Sequence, residues 1–279
     1  MAHADMKKSR GAIWFEQLTG AVTVKADYPA SLLVADAQLH DQPVRYIAVI
    51  PDVDNRYPRA RNGEVGLIEG WQLARAVQEI ISADQAQTIK TPIIAIVDVA
   101  SQAYGRREEA YGINLALAAA AGAYAQARLA GHPVIALIVG KAMSGAFLAH
   151  GYQANRLIAF DDGEVMVHAM GKASAAKITL RSVEALEALA ESIAPMAYDI
   201  TNYASLGLLW ELLPIADPDA PAAASVQIVK ASLQTALENI RHDSSPDLSS
   251  RLGADNRQAS AKVRAMLRAQ WGEELPVTD

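Results

Sequence analysis

Apolar residues are concentrated in three short runs that are rich in β-branched side chains, and each run is followed by a turn or a glycine-bearing segment. Such runs are typical of strands buried on both faces of a sheet. We therefore predict strands over 44–50, 92–97 and 134–139. Two more short strands are predicted from Arg156 to Phe160 and from Glu164 to His168, on either side of an Asp-Asp-Gly turn.

Helical periodicity fills the intervals between the first three strands. Apolar residues recur at helical spacing from Leu67 to Ile81, and Ile113 to Leu129 has the composition of an alanine-rich helix. Strands that alternate with helices predict a parallel sheet of βαβ units. Beyond His168 the pattern predicts helices to the end of the chain, at 183–193 with Ser182 as N-cap, 198–206, 225–241 and 256–271.

The arrangement of these elements indicates one domain over residues 1–279. An α/β core would occupy about 40–180 and a helical section about 181–279, with loops at 214–222 and 242–255. We find no internal repeat.

Composition excludes several classes of protein. The 279 residues include no cysteine, so disulfides, thiolate nucleophiles and cysteine-ligated zinc play no part, and a reducing cytoplasmic location fits. The net charge of −6 and the absence of a basic run argue against a nucleic-acid partner. The longest uncharged stretch, Ala110 to Ala127, is mostly alanine and is expected to be a packed helix and not a membrane span.

Three common catalytic motifs are not present. Gly140-Lys141 lacks the first glycine of a phosphate-binding loop, because position 135 is isoleucine. A nucleophile elbow needs glycine two residues before and two residues after its serine, whereas Ser144 has Ala142 and Ala146 there. The six histidines show no i, i+4 pair and no carboxylate-rich cluster, so we predict no metal site.

One strand-turn-helix segment, Val134 to Gly151, has the features of an anion site. Small residues after a strand let other groups approach the backbone, and the first turn of a helix leaves N–H groups unpaired. We expect Gly145 and Ala146 to offer such a pair to a carbonyl oxygen that becomes anionic during a reaction. The alternative is that these small residues only let the helix pack on the sheet.

A second segment of the same kind, Val97 to Gly112, adds a resemblance to a known family. Val97-Asp98, Gly105, Glu109 and Gly112 are followed by an alanine-rich helix, and then by a strand that ends in Lys141, Gly145 and Ala146. In order and spacing, residues 90 to 180 resemble the carboxyltransferase branch of the crotonase superfamily. The resemblance implies an α/β fold with a crotonase-like ββα spiral core and a helical C-terminal section.

Departures from the family pattern narrow the resemblance. Ser101 and Gln102 stand where the family usually has glycine and an aromatic residue, and Ser144 replaces the first glycine of a Gly-Gly-Ala turn. With the segment from Pro51 to Trp71, these departures make the chain similar over nearly its full length to the gamma subunits of biotin-independent malonate decarboxylases.

That family implies a lyase subunit that is active only in a complex. With a beta-type crotonase partner it would decarboxylate malonyl on an acyl carrier protein to acetyl and CO₂, through an enolate held by backbone amides. The carrier would bear a phosphoribosyl-dephospho-coenzyme A group, and no cofactor is expected on this chain. The resemblance implies catalytic roles for Gly145, Ala146, Ser144 and Gly105, and it leaves open whether the amides of Gly145 and Ala146 hold the thioester enolate or the departing carboxylate. Substrate contacts are expected for Ser101, Gln102, Tyr104 and Arg106. The alternative for Arg106, and for Arg107 beside it, is an exposed arginine at the start of a helix.

Arg59 and Arg61, with Arg56, concentrate positive charge in an acidic chain and are expected to contact the substrate arm or the partner subunit. The alternative is a surface loop with local ion pairs to its own acidic residues. His150 and His168 are expected to be structural. A carboxyltransferase subunit of a biotin-dependent enzyme and a non-catalytic partner subunit remain alternative functions.

Overall fold

The computed structural model describes residues 8–243, 245, 247–252 and 254–273. Within this part of the chain, seven strands form one sheet in the order β1-β2-β3-β4-β5-β7, and β6 pairs with the end of β4. The strands are β1 Leu32–Leu39, β2 Gln42–Val49, β3 Ile93–Val99, β4 Val134–Met143, β5 Arg156–Phe160, β6 Met166–His168 and β7 Glu211–Leu213.

Helices cover the sheet and extend the C-terminal part. They are α1 Arg10–Thr19, α2 Leu67–Ala83, α3 Arg106–Ala110, α4 Ile113–Leu129, α5 Ser144–Ala149, α6 Lys172–Ile178, α7 Val183–Ala190, α8 Ile200–Ser205, α9 Ala223–His242 and α10 Gln258–Glu273. Short 3₁₀ turns lie at Pro58–Ala60, Ala194–Met196, Ser249–Arg251 and Asp255–Arg257.

The sheet is parallel except at one edge. β1 and β2 form an antiparallel hairpin closed at His40 and Asp41, whereas β2, β3, β4 and β5 run parallel. Because the carboxyl ends of parallel strands meet at one edge of a sheet, the segments that follow β2, β3 and β4 lie side by side.

The apolar core extends from α1 to α9. One cluster of buried residues joins the sheet to Trp14 and Leu18 of α1 and to Leu233 and Leu237 of α9. The sequence pattern did not predict α1, whose N-cap Ser9 accepts the N–H of Ala12 at 3.2 Å.

Helices α2 and α4 pack with their backbones in close contact. A Cβ on Gly70 would lie 2.8 Å from the carbonyl carbon and oxygen of Ala116, so only glycine fits there. This close approach explains the alanine content of α4, which presents Ala116, Ala120 and Ala123 to the interior. Among the described residues, no helix has the length and apolar character to cross a membrane.

Several predicted elements agree with the structure, and the differences have physical causes. The predicted bounds of α4 and β5 are confirmed, as is the N-cap at Ser182. β4 continues to Met143, beyond its apolar run, because Lys141 pairs with Met166 of β6. Helix α7 ends at Ala190, since the chain then enters the 3₁₀ turn that contains Pro195.

Two strands were missed. The edge strand β1 exposes Asp36 and Gln38, which interrupt its apolar pattern. The expectation that the chain is helical throughout after His168 is wrong at β7, whose three residues pair with β5 and are too few to show periodicity. Positions 244, 246 and 253 of the predicted loop at 242–255 lie outside the described residues.

Candidate functional site

The candidate site lies where β3 and β4 end side by side. The two strands pair in register from Ile93 to Val97, and the register then shifts so that Val99 lies opposite Ala142. This irregularity places the residues after Val99 next to the turn that follows Met143.

The turn after β4 is very short. Ser144 has φ +60°, a left-handed conformation that is uncommon for a residue other than glycine, and α5 begins at that same residue. The chain thus reverses from strand to helix without a loop. The N–H groups of Ser144, Gly145 and Ala146 occupy the first three helical positions, which have no i−4 carbonyl within the helix.

Gln102 reaches from the segment after β3 into this turn. Its side-chain oxygen accepts the N–H of Gly145 at 3.0 Å and lies 3.4 Å from Oγ of Ser144. A Cβ at position 145 would collide with that oxygen in its present rotamer. The structure therefore brings Gln102, Ser144 and Gly145 together. The N–H of Gly145 points at a carbonyl oxygen, and that oxygen belongs to this chain.

Ala146 is fully buried, and its methyl group packs in the core. Any contribution of this residue to a ligand must therefore come from its backbone N–H.

Asp98 fixes the ends of both strands. Its carboxylate accepts the N–H of Gly11 at 3.1 Å and the N–H of Lys141 at 3.2 Å, and a Cβ on Gly140 would collide with it. Asp98 thereby joins β3 to β4 and to the first turn of α1. Its contact with β4 is at Lys141, three residues before Ser144. Sequence reasoning used Asp98 only as part of a motif and gave it no role.

The segment after β3 is held by the segment after β2. Val65 donates its N–H to the carbonyl of Ser101 at 3.0 Å and accepts the N–H of Ala103 at 2.9 Å. The hydroxyl of Ser101 donates to the carbonyl of Gln102 at 2.8 Å, so it serves the local backbone. Tyr104, 53% exposed, and Arg106 face solvent beyond this pairing.

Gly105 has a packing role in the structure. It adopts an extended conformation as N-cap of α3, and a Cβ there would lie 2.6 Å from Nε of Arg59 and 2.5 Å from Oε2 of Glu108. The need for glycine is therefore the close approach of Arg59, and within the described chain no hydrogen bond joins Gly105 to Gly145 or Gln102. The catalytic role implied for Gly105 stays a prediction.

A buried carboxylate supports the segment after β2. Glu69 is fully buried and accepts the hydroxyl of Ser31 at 2.6 Å, the side-chain amide of Asn55 at 2.7 Å and the N–H of Gly66 at 3.0 Å. Sequence reasoning did not identify this cluster, although Glu69 three residues after Gly66 is a capping-box spacing.

Of the two histidines that the sequence singles out, His150 is buried and His168 is half-buried. Nε2 of His150 lies 2.9 Å from the carbonyl of Ile96, so this nitrogen carries the proton, and Nδ1 accepts the hydroxyl of Tyr124 at 3.0 Å. Burial lowers the pKa of His150 to about 4. Burial also lowers the pKa of His168, whose ring stacks on Tyr198 at 3.8 Å. His150 is thus neutral and holds α5 to β3.

No group of three or more histidine, aspartate or glutamate side chains in the described ranges is arranged to hold a metal ion.

Comparison with protein families identifies the chain. The family model for the malonate decarboxylase gamma subunit matches residues 60–271. The chain belongs to this family. Solved structures agree: a Pseudomonas malonate decarboxylase hetero-tetramer in complex with coenzyme A contains a chain that is 62% identical, with a TM-score of 0.91, over 94% of this chain and 100% of that one. A Pseudomonas MdcD-MdcE hetero-dimer gives 59% identity and a TM-score of 0.87 over 94% and 99%.

More distant relatives of the gamma subunit are carboxyltransferases. The Malonomonas rubra protein MADD, a malonyl-S-ACP:biotin-protein carboxyltransferase, is 38% identical over 189 residues, which cover 66% of this chain and 65% of MADD. Transcarboxylase 12S shares the fold, with a TM-score of 0.62 and 20% identity over 81% of this chain and 41% of that one. The expected crotonase-like fold is confirmed.

Proposed function

We propose that this gamma subunit, paired with a beta-type crotonase partner, decarboxylates malonyl held as a thioester on an acyl carrier protein and releases acetyl thioester and CO₂. Membership of the family and the hetero-dimeric and hetero-tetrameric Pseudomonas relatives support this assembly. The observation that carries the chemistry is the hydrogen bond from the N–H of Gly145 to the side-chain amide oxygen of Gln102.

The reaction breaks the bond between the carboxylate carbon and the α-carbon of the malonyl group. The bonding electron pair moves toward the thioester carbonyl, CO₂ departs, and the negative charge collects on the carbonyl oxygen as an enolate. A proton then adds to the α-carbon. Stabilising this oxygen lowers the barrier, and fixed N–H donors do so without reorganising during the reaction.

We assign the N–H groups of Gly145 and Ala146 to the enolate oxygen. Donors that bound the departing carboxylate would stabilise the ground state, because that charge disappears when neutral CO₂ forms. Donors to the thioester oxygen gain strength as the reaction proceeds. In the free protein, the side-chain amide oxygen of Gln102 lies where the thioester oxygen would bind.

Gln102 must therefore withdraw its side-chain oxygen when substrate enters. Its backbone is fixed by the pairing with Val65, so rotation of the side chain is sufficient. Ser144, whose hydroxyl lies at the longer distance of 3.4 Å, adds a weaker donor to the same position.

The carrier supplies the substrate. MADD is by its name an enzyme of malonyl-S-ACP, which supports an acyl carrier protein as partner here. We extend this to a carrier that bears a phosphoribosyl-dephospho-coenzyme A arm and to a cytoplasmic complex, both of which stay predictions. The chain would contact this arm without binding a cofactor of its own.

Substitution of Ala146 tests the assignment. Ala146→Pro removes one N–H in the first turn of a helix, where proline is tolerated, while Ala146→Ser keeps the N–H. In the assembled complex we expect Ala146→Pro to lower kcat about 10²-fold and Ala146→Ser to have a much smaller effect. Thermal unfolding and partner binding of both variants control for a damaged turn.

The outcomes separate the alternatives. A paired, stable Ala146→Pro complex with the parental kcat would leave the amide a packing role and favour a non-catalytic subunit. A raised KM with unchanged kcat would instead assign the N–H groups to the carboxylate of the substrate. Inhibition of the complex by avidin would favour a biotin-dependent carboxyltransferase.

A further inference from the structure

Five exposed arginine side chains lie on two neighbouring segments at the edge of the candidate site. This set, called the arginine patch below, consists of Arg56, Arg59 and Arg61 from the segment after β2 and Arg106 and Arg107 from α3. The sequence pattern identified the first three as a group, and the fold brings in the other two.

Direct contacts make the two segments one surface. The guanidinium of Arg107 stacks over the ring of Tyr57 at 5.1 Å, and that of Arg56 lies 5.6 Å from the same ring. The side chain of Arg59 lies against Gly105, at the start of α3. The backbone pairing of Val65 with Ser101 and Ala103 continues this connection toward Gln102.

Buried polar groups hold the patch in place from below. Asn55, which donates to the buried carboxylate of Glu69, accepts the N–H of Tyr57 at 2.9 Å on its side-chain oxygen. Its backbone carbonyl accepts Nε of Arg61 at 3.0 Å. Arginines on a braced segment lose less conformational entropy when they bind a ligand than arginines on a free loop.

The arginines of the patch have no acidic partner in the described structure. None of the five has a carboxylate oxygen within 4 Å, although other arginines of the chain do: Arg10 pairs with Asp162 at 2.6 Å and Arg45 with Asp36 at 2.7 Å. The alternative prediction from the sequence, a surface loop with local ion pairs, is therefore wrong for the described residues.

Two acidic side chains of the segment after β2 accept hydrogen bonds from their own loop. Asp52 accepts the N–H of Asp54 at 3.1 Å, and Glu64 accepts both the N–H and the side-chain amide of Asn62. Glu108 is buried. The guanidinium groups thus remain available in a chain whose net charge is −6.

We propose that the arginine patch binds the phosphate groups of the arm that delivers the malonyl thioester to the Gly145 turn. Guanidinium groups present planar pairs of N–H donors that match phosphate oxygens, and several together favour a multiply charged group. The inference rests on the proposed function, because it takes the substrate to arrive on a phosphate-bearing arm.

Ligand binding tests the proposal without turnover. The complex of this chain with its beta-type partner is titrated calorimetrically with coenzyme A, which carries phosphates, and with pantetheine, which carries none. We expect the Arg59→Gln/Arg107→Gln double variant to weaken coenzyme A binding about tenfold or more, with pantetheine binding unchanged. Coenzyme A binding to the parental complex should weaken as salt rises.

Arg241→Gln is the matched control. Arg241 is exposed and lines a surface cavity with Pro133 and Asn155, which precede β4 and β5, at the opposite edge of the sheet. It should leave coenzyme A binding unchanged. The single variants Arg56→Gln and Arg106→Gln, with thermal unfolding, guard against a folding defect of the double variant.

Three results would overturn the proposal. Equal coenzyme A affinity in parental and double-variant complexes would remove the phosphate site. An equal loss of pantetheine binding would place the effect in the acyl site. Unchanged coenzyme A affinity with weaker binding of the carrier protein would assign the patch to the carrier's surface. Failure of the proposed function is distinct, because Ala146→Pro would then retain turnover while coenzyme A binding is unaffected.

Discussion

The chain leaves β3 and β4 in different ways, although the two strands are neighbours in the sheet. After β4 it passes directly into α5 through Ser144, so the groups presented at that point are backbone N–H groups. After β3 it runs through an extended segment to α3 and presents side chains, from Gln102 to Arg106. The segment after β4 thus presents backbone donors of partial positive charge, and the segment after β3 presents side chains.

This difference divides the work of the site. A short turn with a left-handed residue is rigid, which suits donors that must be in place before charge develops. The side chains of an extended segment can adjust to a ligand while its backbone stays in place, provided that other residues hold that backbone. Here the segment after β2 holds it through Val65, and the carboxylate of Glu69 holds the segment after β2.

Removing this support should have the largest effect on stability. Glu69→Ala leaves the donors of Ser31, Asn55 and Gly66 buried without an acceptor, and we expect a loss of about 4 kcal/mol in the free energy of unfolding. Chemical denaturation measures it. Glu187→Ala, which breaks an exposed pair with Lys172, is the control and should cost at most about 1 kcal/mol.

A loss as small in Glu69→Ala as in Glu187→Ala would contradict the comparison, since the segment after β3 would then keep its position without the carboxylate.

The repeating part of this architecture follows from the sequence. Strands that are buried on both faces form uninterrupted apolar runs, so β3 and β5 are visible in the sequence pattern. Helix α4 is visible by its alanine-rich composition. An edge strand such as β1 does not form an uninterrupted apolar run, because Asp36 faces outward and pairs with Arg45. β7 is too short to carry a period.

The second prediction concerns His150, which connects the end of α5 to β3. His150 follows α5 and bonds the carbonyl of Ile96 in β3, and burial lowers its pKa from 6.5 to about 4. Between these values the unfolded chain binds a proton that the folded chain does not. The free energy of unfolding should therefore fall by about 3 kcal/mol in total as the pH drops from 6.5 to 4. Above pH 6.5 the contribution of neutral His150 is fully present.

His150→Gln is the matched variant, because its amide provides both a donor for Ile96 and an acceptor for Tyr124. It should be less stable at neutral pH and should lose most of the acid slope, measured by denaturation from pH 7 to 4. Some slope remains, since burial lowers the pKa of His168 as well. A parental slope in His150→Gln would assign the acid sensitivity to other groups.

The site was less accessible to sequence reasoning than the strands were. The spacing of Gly145 and Ala146 after an apolar run indicated exposed amides, but no pattern indicated that Gln102, 43 residues earlier, would fill the position in front of them. That contact depends on the register shift between β3 and β4. The need for glycine at Gly105 likewise depends on Arg59, which belongs to another segment.

The smallest expected effect tests the turn itself. Ser144→Gly relieves a left-handed conformation, φ +60°, that costs a serine about 1 to 2 kcal/mol, while glycine loses part of that gain to the entropy of the unfolded chain. We expect a net gain of about 0.5 to 1 kcal/mol in stability. His40→Gly, at φ +49° in the hairpin between β1 and β2, is the control and should give a similar gain.

The two variants separate backbone strain from chemistry at the turn. Because Oγ of Ser144 lies 3.4 Å from the oxygen of Gln102, its hydrogen bond is weak, and we expect Ser144→Gly to change kcat by less than about threefold. His40→Gly should leave kcat unchanged. If Ser144→Gly were stabilised like His40→Gly yet lost turnover as severely as Ala146→Pro, the hydroxyl would be a principal donor, and the exit from β4 would act through a side chain as the exit from β3 does.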